Sequence, residues 1–519
     1  MSSLWASSRV ASSTANDLTT LDGRIVDVAV VGAGITGLTA AVLLARAGKS
    51  VTVVEARNAG AGATGNTTGK LSVLQGTKLA RVRSAHDSGT LRAYVEANTE
   101  GREWLLRHCA DRGLVVQRQD DHAYAQDADG LEAARAVLDA CADAGLEDAR
   151  WVDHADVPFP FYGGVLLPDQ AQIDPMPVLD SLVTELHSHG GSLFHGVRAV
   201  GVGDSGPMTT LRLQSTHTNG QEHQEFSMSA RHVVLATGIP FLDRGGFFAR
   251  VSAHRSYCLA FEVPGEVTRP TFISVDSPTR SIRWAPHPEG EKLIVGGAGH
   301  RVGHGQQASR TVTELAEWAT THYPGAQQTH FWSAQDYSPV DELPYVGPLL
   351  PFGEKVLIAT GFDKWGLTNG VAAALALSSR ILGGQITWAG ALSSWSTHEL
   401  KGLPRAAKAN ATVGVDMATG WLAPMACSST HLTDGYGVVS GAPWHLRADS
   451  VVDDTYRTVS PVCPHLGGIV SWNDADQSWE CPLHGSRFAP DGTVLEGPAV
   501  RGLSPTTHGT VAAGLLWTP

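Results

Sequence analysis

Four residues near the C-terminus carry the clearest chemistry. Cys463-Pro464-His465 is followed, after fifteen intervening residues, by Cys481-Pro482-Leu483-His484. Thiolate sulfur and imidazole nitrogen are both metal ligands, and each short segment offers one of each. Zinc fingers place their two cysteines together and their two histidines together, whereas here the types alternate. The alternation points instead to a two-iron, two-sulfide centre, with both thiolates on one iron and both imidazoles on the other. Gly467, Gly468 and Gly485 let backbone approach such a centre, and Pro464 and Pro482 stiffen the loops. The other four cysteines, Cys109, Cys141, Cys258 and Cys427, sit in no ligand pattern, and six cysteines in 519 residues make no disulfide scaffold.

A second constellation lies near the start. Gly32-x-Gly34-x-x-Gly37 follows the apolar run Ile25 to Val31 and precedes a helical stretch from Leu38 to Ala47 that Gly48 stops. A second strand, Val51 to Val54, ends at Glu55, 23 residues after Gly32. In such a unit the first glycine permits the tight turn and the second lets backbone approach a pyrophosphate. The third lets helix and strand pack closely, and the acidic residue accepts hydrogen bonds from a ribose. The helix N-terminus adds free N–H groups and a positive dipole end. A further glycine cluster, Gly296-Gly297-Ala298-Gly299, lacks a following helix and an acidic partner, so it reads as strand and turn and no NAD(P)H domain is expected.

Two later segments narrow the first reading. Val233 to Leu235 runs into Ala236-Thr237-Gly238, and Ala359-Thr360-Gly361-Phe362-Asp363-Lys364-Trp365-Gly366-Leu367-Thr368-Asn369-Gly370 is a strand-to-helix junction. With them, residues 25–385 resemble FAD-dependent oxidoreductases of the D-amino-acid-oxidase (glycine/sarcosine-oxidase-like) type. The resemblance implies FAD at Gly32, Gly34, Gly37 and Glu55. It also implies cofactor contacts at Thr67, Thr68, Thr237 and Gly238, and along Gly361, Trp365, Gly366, Leu367 and Thr368, with helix-start N–H groups facing the pyrimidine end of the flavin. Lys70 becomes a candidate beside the flavin ring. No cysteine falls in 361–370, so the FAD is expected to be non-covalent.

The C-terminal segment resembles the Rieske [2Fe–2S] domain, its closing strands and proline loop matched by Arg487-Phe488, Asp491-Gly492 and Gly497-Pro498-Ala499. Respiratory Rieske proteins carry one more cysteine in each loop, where this chain has Gly468 and Leu483. A tyrosine near the cluster is replaced by Phe488, while the serine is kept as Ser486. One hydrogen-bond donor kept and one lost predicts a potential low or intermediate within a range of roughly −150 to +300 mV.

Together these resemblances imply an α/β Rossmann-like FAD domain with an inserted α+β substrate domain, followed by an all-β Rieske domain. The expected boundaries are a lead-in over 1–24, the flavin unit over 25–385, a connector over 386–424 with one weak helix, and the Rieske domain over 425–519. Residues 91–150 read as helical. The implied activity passes electrons between a small amine- or amino-acid-like substrate and an external redox partner, through FAD and cluster. Arg255, Tyr257, Arg283 and His300 are candidates to face the substrate, an arginine as carboxylate clamp and His300 as base. A redox sensor and a Rieske-type oxygenase are the alternatives, the latter needing a mononuclear iron triad that the sequence does not display. A net charge of −13 argues against nucleic acid or anionic membrane as partner. With no long apolar segment and no signal-like N-terminus, the expected location is cytoplasmic.

Overall fold

The computed structural model describes residues 3–7, 17–216, 223–396, 399–423 and 432–506. Cys427 lies outside them. The first apolar run forms the strand Arg24–Val31 in the middle of an eight-stranded sheet. It pairs in parallel with Val51–Val54 and with Glu225–Leu235, and Ser192–Phe194 and Val356–Thr360 extend the parallel set. Strands covered on both faces are apolar throughout, which is why they stand out as runs. The helices Ile35–Arg46 and Gly366–Ile381 lie against each other beside this sheet.

The inserted part is a nine-stranded sheet. Its strands Gln327–Pro339, Val251–Glu262, Lys292–Arg301 and Ser281–Ala285 pair antiparallel in that order. Thr271–Ser274, Val116–Ala125, Gly163–Ile173 and Lys70–Leu71 follow. Gly296 and Gly297 lie inside Lys292–Arg301, a strand as expected. The region 91–150 is not wholly helical. The helices Ser88–Asp111 and Leu131–Ala144 flank the ten-residue strand Val116–Ala125. Its first half, Val-Gln-Arg-Gln-Asp, is too polar to show a strand period and is held by pairing with Gly163–Ile173, while the second half pairs on both edges.

One other expectation is corrected. Residues 3–7 are no loose lead-in: Leu4 and Trp5 are buried, Ser3 donates to the Gly65 carbonyl at 2.7 Å, and Trp5 Nε1 donates to the Thr67 carbonyl at 2.7 Å. The connector holds a long helix, Glu399–Leu422. Along it, Asn410 reaches the Ala249 carbonyl at 3.0 Å, Asp416 pairs with Arg301 at 3.0 Å, and Gly420 lies against Ile469.

The C-terminal module is all-β, a three-stranded and a four-stranded antiparallel sheet. It has a core of its own around Trp472 and Trp479, whose ring centroids are 4.8 Å apart, and Phe488. Among the described residues no helix is long and apolar enough to cross a membrane.

Candidate functional site

A cavity of about 650 Å³ opens at the C-terminal ends of the parallel strands, lined there by Gly32, Gly34, Glu55, Thr237, Gly238 and Gly361. Crevices of this kind form where neighbouring strands send their helices to opposite sides of a sheet. A β-carbon on Gly37 would collide with the Gly32 carbonyl, so only glycine lets this helix start so close to the strand. Glu55 accepts the Ala33 N–H at 2.9 Å and the Arg57 N–H at 2.8 Å, one on each carboxylate oxygen. Each oxygen keeps a second lone pair for a ligand hydroxyl.

Thr67, Thr68, Lys70, Trp365, Gly366 and Leu367 also line the cavity. Thr368 does not: its hydroxyl is buried behind the helix start, donating to Asn98 Oδ1 at 2.6 Å. Lys70 is 6% exposed and donates one hydrogen bond, to the Phe272 carbonyl at 2.5 Å. Burial depresses its ammonium to about 8, with Asp121 opposing and Arg283 adding to the effect. Arg283 is spent on backbone, donating to the Trp284 carbonyl at 2.9 Å and the Ile173 carbonyl at 3.2 Å, rather than on the cavity.

Before the helix start, Asp363 (φ 48°) and Lys364 (φ 73°) are consecutive left-handed residues that are not glycine. Surrounding bonds over-determine this strained turn. Asp363 accepts from Lys78 at 2.8 Å, from Ser338 at 2.5 Å and from Arg81. The Lys364 N–H donates to Asp336, whose carboxyl burial raises to about 7. Lys364 and Asp336 both line the cavity. Lys364 belongs to the strand-to-helix segment without a role legible there, and Asp336 stands in no motif.

The strands Val251–Glu262 and Gln327–Pro339 form a wall with two occupied faces, because alternate residues point to opposite sides. His254, Ser256, Cys258, Ala334 and Asp336 border the cavity. Arg255, Tyr257, Ser333, Gln335 and Tyr337 send their polar groups to the C-terminal module, and of these Tyr257, Gln335 and Tyr337 also line the cavity. Arg255 is fully buried there, pairing with Asp476 at 2.9 Å, Glu480 at 3.2 Å and Glu496 at 2.8 Å. Burial alone would depress its guanidinium, but these carboxylates more than offset that and hold it higher than usual. Tyr257 Oη lies 2.8 Å from Asn473 Nδ2, and Gln335 donates to the Gly485 carbonyl at 2.7 Å. His300 stacks on Tyr257 with centroids 5.7 Å apart, its Nε2 4.0 Å from Glu480. Arg255 is therefore not free to clamp a substrate carboxylate, whereas Tyr257 and His300 line the cavity while their polar tips also reach Asn473 and Glu480 of the module. Arg255 was chosen by residue type, and type does not reveal which face of a strand a residue takes.

Cys463, His465, Cys481 and His484 do come together. Their loops repeat one design. Cys463 N–H donates to Gly468 O at 2.8 Å and Gly467 N–H to Cys463 O at 3.0 Å, while Cys481 N–H donates to Ser486 O at 2.8 Å and Gly485 N–H to Cys481 O at 3.1 Å. Gly467 (φ 75°) and Gly485 (φ 81°) take the left-handed turn in each loop. The two cysteines are side-chain partners, and the two imidazoles stand perpendicular, 5.0 Å between centroids.

Residues 27–380 match the FAD dependent oxidoreductase family, and residues 424–507 match the Rieske [2Fe-2S] domain. The chain belongs to the FAD-dependent oxidoreductases. The protein YhfW of Bacillus subtilis (strain 168), named "Putative Rieske 2Fe-2S iron-sulfur protein", is 28% identical over 486 residues, covering 92% of each chain. Glycine oxidase from Geobacillus kaustophilus has a similar fold, with TM-score 0.58 at 16% identity, covering 72% of this chain and 99% of that one. L-proline dehydrogenase from P. horikoshii gives 0.54 at 15%, covering 70% and 95%.

The residues present fit both cofactors of this oxidoreductase. For FAD there is an elongated cavity with a glycine turn at one end and an open carboxylate at the next strand. For the cluster, His484 Nδ1 is buried without a hydrogen-bond partner, as a ligating nitrogen must be in the metal-free fold. His465 uses Nε2 on Asp243, leaving Nδ1 for iron. Among the described residues no group of three or more His, Cys, Asp or Glu converges on one ion position, and a centre with two protein ligands per iron needs none. Gly468 and Leu483 touch: a β-carbon on Gly468 would lie 2.6 Å from Leu483 Cδ1. An apolar contact thus stands where the respiratory proteins are expected to carry a crosslink. Ser486 hydrogen bonds the Cys463 sulfur.

Proposed function

We infer that this oxidoreductase takes electrons from a small amine- or amino-acid-like substrate and delivers them to an external acceptor through its Rieske cluster. The observation that carries this reading is the shared wall: the strands that border the flavin cavity also hold the cluster-bearing module, whose residues Leu495 to Val500 reach the cavity itself. FAD supplies two-electron oxidation of the substrate and one-electron release, which the cluster accepts singly.

The chain's own residues bind, position and exclude. Gly32, Gly34 and the N-terminus of Ile35–Arg46 hold the pyrophosphate, and Glu55 holds the ribose. Thr67, Thr68, Thr237, Gly238 and Gly361 line the path of the cofactor, and Trp365, Gly366 and Leu367 present the helix start to its ring. Lys70 and Lys364 both line the cavity and would each place a cation beside the ring of a bound flavin. Leu495 to Val500 of the Rieske module wall the cavity near Arg57 and Arg198, and Arg198 donates to the Val494 carbonyl at 3.2 Å.

Anaerobic mixing with amines, amino acids and N-methylated compounds tests the reading. The flavin absorbance bleaches first with the true substrate class, and the EPR signal of a reduced Rieske cluster follows. A cluster that stays oxidised after the flavin has bleached would sink the relay.

A further inference from the structure

The outer ring nitrogen of one cluster ligand is held by a residue of the other module. His465 Nε2 lies 2.7 Å from Asp243 Oδ1. Asp243 sits in the flavin module, just after the strand Glu225–Leu235, and its neighbour Arg244 anchors the segment by donating to the Val202 carbonyl at 2.7 Å. Five residues on, Phe248 closes over both ligand rings, edge to face, at 4.9 Å from His484 and 6.0 Å from His465. The histidine tip of the Rieske module is thereby capped by the 243–248 segment of the same chain.

We propose that Asp243 is a positioning residue that lowers the reduction potential of the cluster. With Nδ1 on iron, His465 carries its proton on Nε2 and donates it to the carboxylate. Such an acceptor makes the imidazole a stronger electron donor to iron and fixes its orientation. The carboxylate's negative charge also favours the oxidised cluster, which is one charge more positive, and Phe248 covers the two ligand rings. The nearby cation Arg301 is paired with Asp416 at 3.0 Å, and so opposes this little. The flavin module therefore sets the potential of the centre docked on it. This goes beyond the assigned electron relay and does not depend on the substrate.

The test is an EPR-monitored redox titration of the full chain with mediators and dithionite, at one pH and with no organic substrate. Asp243→Asn removes the charge and keeps an acceptor; Asp243→Ala removes both; Asp243→Glu keeps the charge. The midpoint shifts upward in the Asn variant and at least as far in the Ala variant, while the Glu variant stays close to the parent. The nitrogen hyperfine coupling of one of the two histidines changes in the Asn and Ala variants. Equal midpoints across the parent, Asn and Ala proteins, each with intact cluster signal, overturn the proposal. So does a Glu variant that shifts as far as Ala, since the effect would then be steric. Should the Ala protein lose iron, the Asn and Glu pair decides alone. Because reduction is chemical, the result stands whether or not any amine reduces the flavin.

Discussion

At the scale of single residues, Lys70 is the group whose state should govern the chemistry most directly. Its ammonium is depressed by burial to about 8, so the charge is present below that pH and lost above it. Flavin reduction by substrate is expected to slow as pH rises through about 8. Lys70→Met should lower the rate about 10²-fold and flatten that limb, as stopped-flow absorbance would show. The linkage has the opposite sign for stability. An unfolded lysine titrates near 10.5, so between about 8 and 10.5 the unfolded chain binds more protons and stability rises with pH. Thermal melts of the parent should show this rise, and those of the Met variant should not. Lys70 was legible because it follows a recognisable cofactor loop, and the four cluster ligands were legible because spacing alone defines them. Asp243 was not, since a lone aspartate in a Leu-Asp-Arg-Gly turn gains meaning only when His465 arrives from 222 residues away.

At the scale of elements, close approach decides. Gly37→Ala puts a methyl against the Gly32 carbonyl, and the resulting overpacking costs about 1–3 kcal/mol. That variant should purify without flavin, with a normal cluster EPR signal from a separately folded module. Apolar runs disclosed the parallel strands, and glycine and proline disclosed the turns. The strand Val116–Ala125 stayed hidden because its stability comes from pairing with Gly163–Ile173 and Thr271–Ser274, which no local pattern records. Trp5 was hidden for a similar reason, its partners being the Thr67 carbonyl and the Arg283 guanidinium 5.1 Å from its ring. The strained Asp363-Lys364 turn is visible as residues but not as a conformation, because the bonds that impose it come from Lys78, Arg81, Asp336 and Ser338.

At the scale of the whole molecule, the modules are fastened by a buried charge cluster, Arg255 and Arg487 against Asp476, Glu480 and Glu496. Arg255→Met strands buried carboxylates and should cost about 3–5 kcal/mol. The Rieske module should then loosen, read as faster limited proteolysis near the connector and slower flavin-to-cluster electron transfer with the cluster still assembled. Burial would raise the Glu496 carboxyl, but Arg487 and Arg255 bring it down to about 2. Its contribution is therefore full above about 4.5 and is lost as pH falls toward 2, which calorimetry across that window should reveal. Iron analysis of the intact protein should give about two irons per chain. The wall has one further consequence. Along Ala253 to Cys258, Ala253 and Arg255 face the docked module and His254, Ser256 and Cys258 the cavity, while Tyr257 lines the cavity and bonds the module through its hydroxyl. Substitutions at 253 or 255 can refit the docked module while leaving the cavity-lining residues in place. Inserting a single residue there would exchange the two sets and turn the cationic buckle of the interface inward, disabling both partners at once.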